Sequence, residues 1–157
     1  MPRIFDNILQ DQLLLPALQD TIQVAHRADF CVGYFNLRGW KSIADHIDSW
    51  SGEEDNRVRV LVGMQRRPEE EFREAMQQFN KQERIDNATA SRLKKRLAEE
   101  FRDQLTIGAP SNADEQSLRQ LANQLRTGKV VVKLYLKHKL HAKLYLFHRD
   151  DRINPVI

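Results

Sequence analysis

Val130-Val131-Val132-Lys133-Leu134-Tyr135-Leu136-Lys137-His138-Lys139-Leu140-His141-Ala142-Lys143-Leu144-Tyr145-Leu146-Phe147-His148 is the stretch that decides the fold class of this 157-residue chain. Val130, Val132, Leu134 and Leu136 fall on every second position, the period of a strand over 130–136. From Leu140 to His148 the alternation resumes. Leu140, Ala142, Leu144 and Leu146 take one side, and His141, Lys143, Tyr145 and Phe147 take the other. The tetrapeptide Lys-Leu-Tyr-Leu occurs at 133–136 and again at 143–146. That repeat is too short for a solenoid and reads as two similar strands flanking the turn Lys137-His138-Lys139.

Working outward, Arg57 to Val62 alternates with Val58, Val60 and Val62 on one face. Asp29-Phe30-Cys31-Val32-Gly33-Tyr34-Phe35 is short, aromatic and β-branched, as a buried strand is. Helical spacing dominates elsewhere. Leu14, Leu18, Ile22 and Ala25 predict a helix over 11–27. After an N-cap at Asn36, Trp40, Ile43, Ala44 and Ile47 predict another. Residues 68–127 hold no strand pattern. Pro68 followed by Glu69-Glu70-Glu71 starts one helix, with Phe72, Ala75, Met76 and Phe79 as its stripe. Leu93, Leu97, Phe101 and Leu105 mark a second, from about Ala88 to Leu105, with Gly108 as its stop. Leu118, Leu121, Ala122 and Leu125 mark a third, from a capping box at Asn112 and Glu115 to Gly128. The expected fold is α/β: a mixed sheet flanked by helices, with 68–127 as a helical insert of near-balanced charge that packs on one side without entering the site.

Composition agrees. The chain is 41% hydrophobic and 30% charged, too apolar for disorder. No apolar run approaches the ~20 residues of a membrane helix, and no apolar signal segment opens the chain. Cys31 is the single cysteine, so an internal disulfide framework is excluded. A cytoplasmic protein without a membrane partner is expected. The formal charge is +3, but residues 129–157 hold seven Lys and Arg against two Asp, or +5, leaving −2 for the rest. Positive charge so concentrated suits a phosphate-bearing partner. Lysines along a sheet edge also serve to prevent strand-to-strand aggregation.

Chemistry concentrates at His141 and Lys143. Two residues apart on a strand, they leave the same face about 7 Å apart. Phosphodiester cleavage without a metal uses such a pair: an imidazole attacks phosphorus, and an ammonium neutralises charge on the non-bridging oxygens. By itself His-x-Lys is a pattern that chance supplies freely.

Its setting adds to it. Leu140-His141-Ala142-Lys143-Leu144-Tyr145-Leu146, in an apolar strand at the end of an α/β unit, resembles the His-x-Lys half of the phospholipase D superfamily signature. Asp29 to Phe35, the helix carrying Gly39-Trp40, and Arg57 to Gly63 resemble the opening strand–helix–strand of that family's nuclease-like branch. Ala28 to Trp40 and Lys129 to Pro155 further resemble the N-terminal module of large bacterial helicases. The resemblance implies a truncated phospholipase D-like domain over 1–157, with nucleic acid (DNA before RNA) as partner. It implies no cofactor in this chain, and ATP only in an attached motor. It also implies that two His-x-Lys units meet across a pseudo-twofold, so a single-motif chain would need a homodimer, with His141 as nucleophile and its mate protonating the leaving oxygen. Two departures stand out. The family's Asp position is His148 here, with Asp150 and Asp151 out of phase. The family's Gly-Ser-x-Asn turn would follow the run Ile153-Asn154-Pro155-Val156-Ile157, so the chain reads as a catalytically incomplete fragment.

A second function class is a degenerate binding or dimerisation module. There Lys133, Lys137, Lys139 and Lys143 would hold nucleic acid, and Tyr135 and Tyr145 would stack on it. His148 at the Asp position favours this class slightly. Other candidates are weaker. His138, His141 and His148 could be taken for a metal site, but strand parity separates His138 from His141, and the lysines repel a cation. Gly63-Met64-Gln65-Arg66-Arg67 lacks the Gly-Lys-Ser/Thr of a P-loop. Cys31 is expected in the core, and His26 and His46 on helices.

Overall fold

The computed structural model describes residues 5–63, 87–106 and 112–151. The helix expected from Pro68, the loop residues Met64 to Arg67, the stop at Gly108, Arg152 and the run from Ile153 to Ile157 lie outside the described residues. Among the described residues four strands form one sheet: β1 (Ala25–Val32), β2 (Val58–Gly63), β3 (Val130–Tyr135) and β4 (Lys143–Arg149), in the order β3-β2-β1-β4. β3, β2 and β1 are parallel, and β4 runs antiparallel to β1. The fold is therefore α/β with a mixed sheet flanked by helices. These are α1 (Leu14–Gln23), α2 (Leu37–Lys41), α3 (Ala44–Ile47), α4 (Asn87–Leu105) and α5 (Asn112–Arg126). No described helix is long and apolar enough to cross a membrane.

Alternation turns Phe30, Val60, Val132 and Tyr145 to one face as a cross-strand row. All the described helices that reach the core pack on that face. Ile22 of α1, Trp40 of α2, Ala44 and Ile47 of α3, Leu105 of α4 and Leu121 of α5 join one cluster with Val58, Val60, Val62 and Val130. Phe30 meets Tyr145 and Phe147 edge-on, at ring-centroid distances of 5.3 and 5.6 Å. Asn36 caps α2, its side-chain oxygen accepting from the Gly39 amide at 2.8 Å. Gly128, at φ +76°, ends α5 in a conformation that disfavours a side chain.

Several expected elements shift. The helix predicted over 11–27 stops at Gln23, and the strand predicted at Asp29 already starts at Ala25. Ala25 and Arg27 pair with Arg149 and His148, so sheet partners override the helical spacing of Ala25. His26 accordingly lies in a strand, within 3.2 Å of the Asp150 carboxylate. Trp40 to Ile47 is two short helices broken at Ser42 and Ile43. The buried positions of α5 are Ser117, Leu121 and Gln124, and Ala122 and Leu125 are exposed. What rotates the helix is Gln124. Its amide donates to Ala44 O and Asp48 Oδ1 at 2.8 and 2.7 Å and accepts from Trp40 Nε1 at 2.9 Å, so a fully buried polar group is satisfied. Cys31 is half-buried on the face that no described helix covers, between Leu61 and Leu144.

The two Lys-Leu-Tyr-Leu strands do not form a hairpin. β3 and β4 occupy opposite edges of the sheet. Residues 136–142 cross the carboxyl ends of β2 and β1 to join them. Three strand spacings are about 14 Å, and seven extended residues reach about 23 Å, so the crossing needs no helix.

Candidate functional site

The crossing builds the site. Leu140 lies over Gly33, which follows β1, and Gly63, which ends β2. A Cβ on Gly33 would stand 2.8 Å from Leu140 O, and one on Gly63 would meet both Leu140 Cβ, at 2.9 Å, and Gly33 O. Only glycine lets the chain pass so close. The Gly33 amide donates to Ala142 O at 2.8 Å, carrying the β1–β4 pairing past Val32 and Lys143. His141 is thus not within β4 as expected. It precedes the strand, on the crossover, and the pairing at Gly33 holds it there.

His141 and Lys143 line one cavity of about 620 Å³, and Lys139 lines it with them. All three are exposed. The cavity opens at the carboxyl ends of parallel strands, where α/β sheets commonly bind ligands. Its floor is apolar, formed by Phe30, Trp40 and Phe147. No Asp or Glu lines it among the described residues. Tyr34 follows the end of β1 by two residues. Tyr34 also lines the cavity and is 56% exposed. Tyr145 stands deeper, and its phenol is pushed above the usual range by burial and, second, by the nearby Tyr34. Lysines above an apolar floor can hold an anion that carries a flat or apolar group.

The other candidate lysines diverge from this cavity. Lys133 lies on the opposite sheet face, in a row with Leu61, Cys31 and Leu144. Tyr135 shares the parity of Lys133, so Tyr135 and Tyr145 project from opposite faces. Lys137 is exposed on the crossover and does not line the cavity. His138 is exposed beside it. No group of three or more His, Cys, Asp or Glu able to hold a metal occurs among the described residues. Neither α4 nor α5 contributes a described residue to the lining.

His148 belongs to a separate polar cluster on the open face. Its Nε2 lies 2.8 Å from Asp29 Oδ2, and it donates there only with the proton on Nε2. Arg59 grips the same carboxylate with two nitrogens, Nη2 at 2.8 Å from Oδ2. Arg27 lies 3.1 Å from His148 Nε2 and 3.7 Å from Asp29. The Arg59 hydrogen bonds hold the Asp29 carboxyl below its usual 3.8; burial opposes them, and His148 adds to them. The pairing of Asp29 with Arg59 fixes the β1–β2 register. Sequence reasoning missed this cluster and Tyr34. The available signals were a carboxylate inside an apolar strand and the charged alternate positions of Arg57-Val58-Arg59.

No protein-family model matches the chain, and no curated protein matches it.

Proposed function

We propose that this chain is the phosphodiester-binding half of a phospholipase D-like nuclease module, acting on nucleic acid for an ATP-driven helicase in a longer parent protein. One observation carries the reading: His141 and Lys143, joined by Lys139, line one cavity at the carboxyl ends of the parallel strands, with no Asp or Glu among its described lining residues. In this reading Lys143 and Lys139 hold the phosphate oxygens. The His141 imidazole attacks phosphorus, a P–N bond forms, and the P–O bond to the leaving nucleoside breaks. The leaving oxygen takes its proton from a second His-x-Lys unit, which a homodimer would supply. Water then releases the phosphohistidine.

A second reading, a non-catalytic nucleic-acid-binding module, draws support from His148. The residue at the family's Asp position contacts Asp29 on the face away from the cavity. Cleavage of an end-labelled single-stranded DNA in EDTA by the longer parent protein, in its dimeric form, separates the two. Product that forms in EDTA and disappears in His141→Ala supports the nuclease half-site. Binding without product supports the second reading. A chain that neither binds nor cuts the strand refutes both.

A further inference from the structure

We infer that the cavity accepts an unpaired nucleobase stacked on Tyr34, next to the phosphate held by Lys143 and Lys139, so that the module selects single strands over duplex. The inference rests on the phosphodiester reading above and names its substrate class.

Phosphate contacts alone would occupy the rim of the cavity. They leave the apolar floor of Phe30, Trp40 and Phe147 unfilled, in a volume of about 620 Å³. A cavity of that size and character accommodates a planar organic group. The floor rings are themselves buried against the core; Trp40 is 2% exposed. Tyr34 is the aromatic side chain of the lining that stands out, at 56% exposure. The Gly33–Ala142 hydrogen bond anchors the backbone next to it, and Tyr34 and His141 line the same cavity. An exposed ring on an anchored backbone beside cations is the arrangement that stacks a base while its phosphate is neutralised. In a duplex both faces of each base are already stacked, so the ring is offered nothing. An acyl chain would bury in the cavity equally well, but gains nothing specific from a phenol at the mouth.

Fluorescence anisotropy with the chain tests this. Four probes are used: a single-stranded DNA, its duplex, the same strand with abasic sites, and micelles of short-chain phosphatidic acid as competitor. Tyr34→Ala should weaken single-strand binding roughly 5- to 150-fold. Tyr34→Phe should bind like the unaltered chain. The abasic strand and the duplex should bind more weakly and be indifferent to Tyr34→Ala. Because Tyr34 is exposed, an unchanged circular-dichroism melt should show that Tyr34→Ala folds. Equal binding of the single, abasic and double strands, or no effect of Tyr34→Ala, overturns the inference. So does Tyr34-dependent displacement of DNA by the micelles, which would identify a lipid phosphate instead. Lys143→Ala separates the two levels. If it weakens base-bearing and abasic strands alike while Tyr34→Ala affects neither, only the stacking inference fails. If it affects none of the probes, the phosphodiester reading fails as well.

Discussion

His141 and His148 project from opposite faces of the sheet, although one short stretch of chain carries both. Alternation within β4 turns His148 to the open face, while His141, on the crossover before the strand, is set at the cavity. His141 lines the cavity, and His148 contacts Asp29. His148→Ala should therefore leave oligonucleotide affinity within about twofold of the parent. It should cost about 1.5 kcal/mol of stability, the low end for a hydrogen bond to a charged group. Anisotropy and urea denaturation on the same sample check both halves. A large loss of affinity would mean that the two faces are coupled.

Asp29 makes the stability of the sheet depend on pH. Its carboxyl is held below 3.8 in the folded chain by Arg59 and then His148. A group depressed on folding stabilises above its unfolded value, and that stability disappears as pH falls through the folded value. Asp29→Asn should thus cost about 1–2 kcal/mol at pH 7, moderated by the exposure of Arg59. Urea titrations at falling pH should show the variant and parent converging below about 3.8. A difference that persists undiminished at pH 2.5 would show that the carboxylate charge is not its source.

Gly63→Ala should move the crossover. The added methyl meets Gly33 O and Leu140, so either β2 or the segment carrying His141 must shift. Overpacking of this kind costs about 1–3 kcal/mol. Oligonucleotide affinity should fall with it, because Leu140 and His141 are adjacent. Thermal melts and anisotropy measure the two. Unaltered stability would mean that the close passage is absent in solution.

Gln124 joins three helices from a fully buried position. Truncating Gln124→Ala leaves the Trp40 indole N–H and the Ala44 carbonyl without their partner. The loss should be about 2–4 kcal/mol, combining unsatisfied groups and a cavity. Leu125→Ala, on the exposed side of the same helix, should cost less than about 1 kcal/mol. Similar losses in both variants would refute the observed rotation of α5.

Alternation made three of the four strands legible, because Val58, Val60 and Val62 and their counterparts near 130 and 144 repeat every second residue; β1 was legible only from Asp29 on, by its aromatic and β-branched residues. Strand neighbours were not legible. A repeat of Lys-Leu-Tyr-Leu around three residues suggests a hairpin, and only the glycines at 33 and 63 hint that the chain crosses two strand ends instead. Which face is covered was equally hidden in β4, where leucines and aromatics alternate. Tyr145 and Phe147 turn inward to meet Phe30, which leaves Leu144 39% exposed. His141 and Lys143 could be singled out from their spacing together with the apolar, strand-like stretch that carries them. Tyr34 could not, since only the folded chain brings it to the cavity that His141 lines. Lys133 was grouped with the other lysines by nearness in sequence, and one residue of strand parity sends it to the other face.

That parity supplies the most direct test of the central claim, that phosphate binds where His141 and Lys143 meet. Single-stranded DNA affinity is measured against salt concentration for the parent, Lys143→Ala and Lys133→Ala, three proteins that keep the fold. Lys143→Ala should weaken binding at low salt and reduce the magnitude of the log–log salt slope by about 0.7, one phosphate contact on a single strand. Lys133→Ala, on the far face, should change neither. A slope that falls for Lys133→Ala and stays unchanged for Lys143→Ala would contradict the account.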